Sequence, residues 1–364
     1  MKKIRVQLTP VGHYFLGGER GFGYDPKLKR QMTASYFIRS LKVPSQTTLF
    51  GALRYIIGVE NEKLKDNSCS IIGSRSFDIT DDNSDYGIIK KISPLYLFKD
   101  NIGIDSQEKN VSPDGYYIRT PFDHINGYNT YHPMVLNQKS RIESINFPDD
   151  EAVTKFHPCG YNAKDGISMS YTCISSSEYQ VVNEWDIFES SVEVVSRKAK
   201  IEANNQDGFA KKQYFRLNQG WSFVFFAELE GNEDLINSIE IEYNRSVVLG
   251  KDSSVFMVHM SEESEPDING IFINKEKNFH YCQSPLYIRC NTSILIGKSS
   301  FSILESETSR RFKTEHNKLM PVYENSLIQM ISPGSIVYSD DISDLLDEHA
   351  GIAGFNRIIN GGKN

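Results

Sequence analysis

The sequence lacks the features of a secreted, disulfide-stabilised or membrane-spanning protein. Its 364 residues include five cysteines, which are scattered and form no CxxC motif: Cys69, Cys159, Cys173, Cys282 and Cys290. An odd, dispersed set fits neither a disulfide framework nor a zinc site. No stretch approaches the roughly 20 apolar residues that span a bilayer, and the opening MKKIRVQLTP lacks the apolar region of a signal peptide. We therefore expect a soluble, cytoplasmic protein.

Motifs of hydrolases and metalloenzymes are also missing. The eight histidines form no HExxH or HxH pair, and no GxSxG motif occurs. We predict no catalytic residue, no metal ligand and no cofactor. One alternative stays open, because His13 adjoins a glycine-rich stretch and is the best-placed general base if the protein cleaves RNA.

Charge is distributed unevenly along the chain. The 40 Lys and Arg residues against 47 Asp and Glu give a net charge of −7, which argues against a surface covered by nucleic acid. Residues 1–54 hold ten basic and two acidic residues, so this segment carries +8 and the remainder −15. A local basic surface on an acidic body suits one bound polyanion and separate protein contacts. A solvated basic face without a partner fits the charge equally well.

The N-terminal region predicts a strand, a long loop and a helix. Residues 4–8 alternate as in a strand, and residues 9–44 are rich in Gly and basic residues and read as a loop. Ser45 is placed to cap a helix that runs to Gly58. The apolar residues of this helix recur at helical spacing and are Leu49, Phe50, Leu53, Ile56 and Ile57.

Beyond this helix, predicted strands outnumber helices. Residues 120–185 carry many Gly, Pro, Asn and Ser and read as an irregular insertion. Residues 214–217 and 222–229 flank Asn218-Gln219-Gly220, a hairpin turn. The other predicted strands are at 88–98, 116–119, 191–201, 255–260, 286–289, 293–296 and 335–338. No tandem repeat is present, which argues against a solenoid or propeller. Because strands outnumber helices and at least one strong helix lies between strands, we predict an α+β fold with antiparallel sheets.

Three segments are candidates for contact with a phosphate backbone. The glycine-rich stretch 17–23 lacks the features of a P-loop or dinucleotide site, but its N–H groups and Arg20 suit a polynucleotide. The helix start at 45–48 offers N–H groups and hydroxyls to phosphates, and a basic connection spans 197–212. Each has a plain alternative: glycines that permit a sharp turn, ordinary helix capping and a solvated loop.

Several of these segments together resemble the RAMP superfamily of CRISPR proteins. Residues 8–23 are similar to that family's first strand and loop, and residues 44–54 (PSQTTLFGALR) to its first helix. Residues 332–338 and 354–361 resemble a GSVY strand and a C-terminal glycine-rich segment. Residues 248–252 (VLGKD) stand where relatives have an LGG-E-R motif but lack its second Gly and Arg, so no role is carried over. The pattern is most similar to the Cas-five-like branch that includes the third subunit of the Cmr (type III-B) effector complex.

The resemblance implies a fold and a role. It implies two ferredoxin-like (RRM-type) domains with antiparallel sheets and long insertions, which we place at 1–190 and 191–364. The first would hold the basic Gly-rich loop and the insertion 120–185, and the second a basic hairpin and the Gly-rich tail. It implies a non-catalytic subunit that grips the repeat-derived 5′ handle of the CRISPR RNA. Its partners would be the large polymerase/nuclease subunit and the backbone RAMP subunits of an antiviral effector.

Two alternatives belong to other functional classes. The first is a metal-free endoribonuclease that processes precursor CRISPR RNA with His13 as base. The second is an adaptor without nucleic acid, whose +8 segment docks an acidic protein.

The predicted RNA contacts are basic residues, polar residues of the helix start and glycines of the loop. They are Gly18, Arg20, Gly21, Lys29, Arg30, Arg39, Ser45, Gln46, Thr47, Thr48, Arg54, Arg197, Lys198, Lys200 and Lys211. We expect charge reversal at Arg39 and Arg54 together to weaken RNA retention.

Overall fold

The computed structural model describes most of the chain, and the statements that follow concern those residues. The described ranges are 1–20, 24–25, 30–31, 36–60, 69–73, 79, 84–101, 112–124, 131, 161–162, 166–167, 169–175, 180–197, 208–231, 244–250, 252–268, 271–272, 278–288, 292–310, 312–315, 318–321 and 327–361.

Strands dominate these ranges. In chain order they are β1 (Lys2–Pro10), β2 (Leu16–Arg20), β3 (Tyr24–Asp25), β4 (Arg30–Gln31), β5 (Tyr36–Leu41), β6 (Ile89–Ile92), β7 (Tyr96–Lys99), β8 (Gly115–Arg119), β9 (Tyr161–Asn162), β10 (Gly166–Ile167), β11 (Ser170–Cys173), β12 (Val181–Asn183), β13 (Phe188–Arg197), β14 (Gly208–Leu217), β15 (Trp221–Leu229), β16 (Asn244–Leu249), β17 (Ser254–Ser261), β18 (Phe279–Cys282), β19 (Phe301–Ile303), β20 (Ser306–Arg310), β21 (Phe312–Glu315), β22 (Lys318–Pro321), β23 (Leu327–Ile331), β24 (Ile336–Tyr338) and β25 (Ile358–Gly361). The helices are α1 (Gln46–Glu60), α2 (Cys69–Ile72), α3 (Glu184–Ile187), α4 (Thr292–Lys298) and α5 (Glu348–Ile352), with a 3₁₀ helix at Ser343–Leu345.

The chain forms two compact units, neither of which is continuous in sequence. The first unit comprises Met1–Ile72, Gly87–Asp105 and Trp185–Glu265, and the second comprises Gly73–Tyr86, Ser106–Glu184 and Pro266–Asn364. The sequence analysis divided the chain once, at residue 190, whereas the first unit continues across that position because β15 pairs with β1. The α+β class with mostly antiparallel sheets is confirmed.

A sheet here called the main sheet forms the centre of the first unit. β1 lies between β15 and β17, β16 lies beyond β17, and β15 also pairs with β6 and β7, all antiparallel. Alternation along β1 buries Ile4, Val6 and Leu8 completely, which confirms the first predicted strand. Each such burial stabilises the fold by about 2 kcal/mol.

α1 confirms the predicted helix and its cap. Ser45 Oγ accepts a hydrogen bond from the Thr48 N–H at 3.3 Å, and the Ser45 carbonyl accepts one from the Leu49 N–H at 3.0 Å. The hydroxyl therefore satisfies one of the N–H groups that a helix start leaves open. The predicted apolar positions are all buried: Leu49, Phe50, Leu53, Ile56 and Ile57.

Four strands of the first unit form a second sheet, here called the interface sheet, in the order β13-β14-β5-β2. β13 and β14 form a ten-residue antiparallel hairpin. β14 pairs with β5 in parallel, and β5 pairs with β2 antiparallel. Residues 9–44 were predicted to be a loop, and this prediction is wrong where β2 and β5 form. β2 contains two glycines, which disfavour strands, and β5 takes its parallel partner β14 from far along the chain, so the segment itself carries little strand signal.

The predicted hairpin turn is present but joins two different sheets. Trp221 N–H donates to the Asn218 carbonyl at 3.1 Å, and Gly220 supplies the positive φ of 78° that the turn requires. The flanking strands do not pair with each other, because β14 joins β13 and β5 whereas the almost entirely buried β15 enters the main sheet.

Aromatic rings join the two sheets of the first unit. Phe188 and Phe215 come from the interface sheet, and Phe223 and Phe256 come from the main sheet. Tyr14 lies between them, 5.8 Å from Phe223 and 5.7 Å from Phe256 between ring centroids. Phe188 lies 6.5 Å from both Phe215 and Phe223. These edge-to-face and stacked contacts add to the burial of the rings and fix the base of the interface sheet.

The second unit contains several smaller sheets. β8, β11 and β12 form one antiparallel sheet, and β19, β24, β18 and β25 form another. β9 pairs with β10, β20 with β23 and β21 with β22. One apolar core cluster of this unit consists of Cys282, Leu286, Ile288, Leu295, Ile331, Val337 and Ile342. The strands at 116–119 and 335–338 are confirmed with small changes of boundary.

Four further predictions are corrected. Residues 293–296 form part of α4 instead of a strand, although their β-branched composition favours strands. In α4 Leu295 is fully buried whereas Ile294 and Ile296 are exposed, because the helix directs Leu295 into the core and its two neighbours away from it. Residues 88–98 form β6 and β7, interrupted where Ser93 Oγ accepts the Phe226 N–H at 2.8 Å. Residues 286–289 make isolated bridges only. The described part of 120–185 contains β9 to β12, since β11 pairs with β8.

Within the described residues, no helix is long and apolar enough to cross a membrane.

Candidate nucleic-acid interface

The interface sheet brings together two segments that are far apart in sequence. β2 and β5 come from the basic N-terminal region, and β13 and β14 form the hairpin that carries the second basic segment. The register pairs Val194 with Lys211 and Lys211 with Phe37, so one row crosses three strands. The sequence analysis proposed both segments as RNA contacts, and the structure places them in one sheet.

Strand alternation assigns each side chain of this sheet to one of two faces. Residues directly opposite each other share a face, and neighbours along a strand point to opposite faces. The exposed part of one face, here called the outer face, therefore carries the following side chains: Phe37, Arg39, Val192, Val194, Lys211 and Gln213. Phe188 and Phe215 lie on the same side of the sheet, at its base, where they pack against the main sheet.

The outer face combines positive charge with exposed apolar surface. Arg39 and Lys211 are exposed. Val192 and Val194 are 52% and 64% exposed, which is unusual for neighbouring valines on one strand face. The Arg39 guanidinium carbon lies 5.6 Å from the centroid of the Phe37 ring, in cation–π range. Such a face offers phosphates a cation and offers the faces of unpaired bases an apolar support.

The opposite face, here called the inner face, holds the acidic residues of the hairpin. Glu193 faces Lys212 across the strands, and Glu189 faces Arg216 and forms an ion pair with it. Tyr214 lies on the same face, and its partial burial raises its pKa, as does the charge of Glu193. The two carboxylates are thus kept away from the cations of the outer face, which leaves that face positive.

Several predicted contacts lie on the interface sheet or just beyond it. Gly18 and Arg20 belong to β2, and Arg20 is paired with Ile38 through the backbone. Arg197 ends β13 opposite Gly208. Arg30 lies in β4, whose partner is β3, outside the interface sheet. The predicted contacts that lie outside the described residues are Gly21, Lys29, Lys198 and Lys200.

The start of α1 is largely occupied by its own contacts. Ser45 Oγ lies 2.9 Å from both Thr47 Oγ1 and Thr48 Oγ1, in addition to the cap to Thr48 N–H. Gln46 is 4% exposed, and its Nε2 donates to the Ser93 carbonyl at 3.0 Å. Thr47 is exposed. Gln46 therefore holds the helix to the residue that interrupts β6 and β7, a role that its polar character does not reveal.

Arg54 belongs to α1 rather than to the interface sheet. Its guanidinium carbon lies 5.6 Å from the ring centroid of Phe50, one turn earlier on the same helix. The side chain is half-buried. The structure thus gives Arg54 and Arg39 different surroundings, although both were predicted to bind RNA.

The sequence analysis did not include the apolar side chains of the outer face among the candidate contacts. Val192 and Val194 served in the sequence analysis only to mark a strand, and Phe37 lay within the predicted loop. The alternation of Val192 and Val194 beside a basic return strand was the available signal. Alternation alone does not say whether the apolar face is covered, so exposure had to come from the structure.

The described residues provide no constellation for metal binding. No group of three or more His, Cys, Asp or Glu side chains within the described ranges is arranged to hold a metal ion. His13 is exposed and precedes the buried Tyr14, which pairs with Phe215 at the edge of the interface sheet.

Comparison with known proteins identifies the fold. No protein-family model and no curated protein matches the chain. A chain in the cryo-EM structure of type III-B Cmr-beta bound to cognate target RNA is 13% identical, with a TM-score of 0.52 over 98% of this chain and 96% of that one. A chain of the same assembly with AMPPnP is 11% identical, with a TM-score of 0.51 and 98% of each chain covered. This chain therefore shares its fold with Cmr-beta chains over almost its whole length.

A weaker likeness involves the type III-A system. A chain of the Csm3–Csm4 subcomplex is 14% identical and covers 93% of each chain, with a TM-score of 0.34. That score is too low to support any argument about this protein.

Proposed function

We propose that the protein is a non-catalytic RNA-binding subunit of a type III CRISPR effector complex, and that the outer face of the interface sheet contacts the CRISPR RNA. The observation that carries the proposal is this face. It exposes Arg39 and Lys211 beside Phe37, Val192 and Val194, while the carboxylates of the hairpin lie on the inner face. Single-stranded RNA is bound by such combinations of cations with surfaces that support unstacked bases.

The fold supports the same assignment by analogy. The Cmr-beta chains come from an assembly bound to cognate target RNA. We extend the proposal to the third-subunit position of a type III-B complex, with two ferredoxin-like domains. In that position the subunit grips the 5′ handle and anchors the large polymerase/nuclease subunit beside the backbone subunits, as the RAMP resemblance implies.

The proposal is tested by RNA binding of the full chain. Fluorescence anisotropy would compare a labelled CRISPR RNA carrying its 5′ handle with the same RNA carrying a scrambled handle. We expect tighter binding of the intact handle. The double variant Arg39→Glu/Lys211→Glu should bind at least about tenfold more weakly, and the slope of log K against log salt should fall by about 2, since two phosphate contacts are lost.

A matched control separates the outer face from general electrostatics. Arg216 is an exposed arginine on the inner face of the same hairpin. Arg39→Glu should weaken binding much more than Arg216→Glu, although both change the net charge equally. Equal losses would reject the outer face as the site, and absence of RNA binding by the wild type would reject the function. Cleavage of precursor RNA without metal, abolished by His13→Ala, would favour the endoribonuclease alternative instead.

A further inference from the structure

The turn between β16 and β17 contains the segment to which the sequence analysis assigned no role. Gly250, Asp252 and Ser254 all belong to this turn or border it. Each of them contacts a strand of the interface sheet or the residue that leads into one. Together they connect the end of the main sheet with the sheet that carries the outer face.

Two of these contacts hold Phe15, the residue directly before β2. Gly250 has a φ of +77°, and a Cβ at this position would lie 2.3 Å from the Phe15 carbonyl oxygen. Only glycine permits so close an approach together with this backbone conformation. Ser254 Oγ accepts a buried hydrogen bond from the Phe15 N–H at 2.9 Å. The turn therefore fixes the backbone from which β2 starts.

The third contact holds β14. Asp252 forms an ion pair with Lys212, and the two side chains are 32% and 12% exposed. Lys212 Nζ also lies 4.0 Å from the ring centroid of Phe15 and 5.1 Å from that of Tyr214. These rings contact each other edge to face at 6.0 Å. The ammonium group is thus enclosed by one carboxylate and two aromatic faces, a setting that strengthens both kinds of interaction.

Lys212 and Lys211 are neighbours with opposite surroundings. Lys211 is on the outer face and exposed, whereas Lys212 is on the inner face and enclosed. β14 also pairs directly with β5, the strand of Arg39. A displacement of β14 or of β2 therefore changes the spacing of the cations on the outer face.

We propose that Asp252 and Lys212 form a clasp that positions the interface sheet for RNA binding. Gly250 and Ser254 complete the clasp through the backbone of Phe15. Asp252 is in this view a positioning residue, which acts through β14 and touches no RNA. This proposal rests on the proposed RNA-binding function and adds that RNA binding requires β14 to be held in position.

The direction in which Asp252→Asn changes RNA affinity tests the clasp. Asp252→Asn removes a negative charge near the RNA surface, so electrostatics alone would strengthen the binding of a polyanion. The clasp predicts the opposite, about fivefold weaker binding of a fluorescein-labelled single-stranded oligouridylate by the full chain. The amides of β14 should also exchange hydrogen faster in this variant, with or without RNA.

A control and a rescue complete the experiment. Glu193 is exposed on the same face, directly opposite Lys212 in register, and Glu193→Gln should leave the affinity unchanged or raise it. The swapped pair Lys212→Asp/Asp252→Lys keeps the net charge and the ion pair but not the cation–π contacts, and should recover part of the lost affinity. Unchanged or tighter binding by Asp252→Asn would overturn the clasp alone. Failure of the wild type to bind any RNA would overturn the proposed function and the clasp with it.

Discussion

Two groups of charged side chains, one in each unit, differ in their exposure. On the outer face of the first unit Arg39 and Lys211 are exposed. In the second unit Arg119 and Asp123 are 9% and 1% exposed and are held by partners. An exposed charge costs little when it is unpaired and stays available to a ligand, whereas a buried charge requires a partner. The difference indicates that a ligand can reach Arg39 and Lys211, whereas Arg119 and Asp123 contribute to the packing of their own unit.

The partners of the buried charges in the second unit are well defined. Arg119 Nη2 lies 2.7 Å from Glu305 Oε2, and its guanidinium carbon lies 4.8 Å from the ring centroid of Phe122. Asp123 Oδ2 accepts hydrogen bonds from the hydroxyls of Tyr131 at 2.7 Å and Tyr338 at 2.6 Å. These contacts connect β24 and β20 with the chain around the end of β8.

The largest expected effect comes from removing the buried cation. Arg119→Met leaves Glu305 without its partner and should lower the free energy of unfolding by about 3 kcal/mol, as measured by urea denaturation. The control is Arg216→Met, which removes an ion pair whose side chains are both 51% exposed. Its cost should be within about 0.5 kcal/mol. Equal losses of unfolding free energy for the two variants would show that burial does not determine how much these two ion pairs contribute to stability.

The second prediction concerns pH. Burial raises the pKa of the Asp123 carboxyl from 3.8 to about 6, although the two tyrosine hydroxyls oppose the shift. The folded state therefore binds the proton more tightly than the unfolded state. The stability from this proton is fully present below pH 4 and is lost as the pH rises through 6. Relative to Asp123→Asn, the wild type should lose about 2 kcal/mol of unfolding free energy between pH 4 and pH 7.

An exposed carboxylate of the second unit should show the opposite dependence of stability on pH. Hydrogen bonds from the backbone N–H and hydroxyl of Ser343 lower the pKa of Asp341. Its contribution to stability is therefore present at neutral pH and is lost as the pH falls through the lowered pKa. Relative to Asp341→Asn, the wild type should lose stability on acidification. If stability relative to Asp123→Asn and stability relative to Asp341→Asn changed in the same direction with pH, the attribution of the raised Asp123 pKa to burial would be contradicted.

Local patterns were sufficient for some elements of this fold. The α1 stripe of Leu49, Leu53 and Ile56 and the cap at Ser45 are encoded within one short segment, and both predictions hold. The alternation that predicts β1 is equally local. Such elements follow from hydrophobic periodicity and capping, which single sequences carry.

Long-range pairing was the missing information elsewhere. β5 pairs in parallel with β14, from Tyr36 opposite Ala210, and no local pattern marks such a partner. For the same reason the sequence analysis proposed separate basic segments and did not predict that Arg39 and Lys211 share one face of a sheet. Gln46 shows the reverse case, since a polar residue at a helix start is buried by a contact to Ser93 from another part of the chain.

The smallest expected effect compares two neighbouring lysines on one strand. Lys212→Met should lower the free energy of unfolding by about 1 kcal/mol, because it removes the ion pair with Asp252 and the contact with Phe15. Lys211→Met removes an exposed charge and should change stability by only a few tenths of a kcal/mol. On RNA binding, Lys211→Met should lower the salt slope by about 1, since it removes a direct phosphate contact. The same slope is expected for Lys212→Met and wild type, because Lys212 acts through the position of β14. A lower salt slope for Lys212→Met would instead mean that both faces of β14 contact RNA. The distinction between the exposed Lys211 and the enclosed Lys212 would then be wrong.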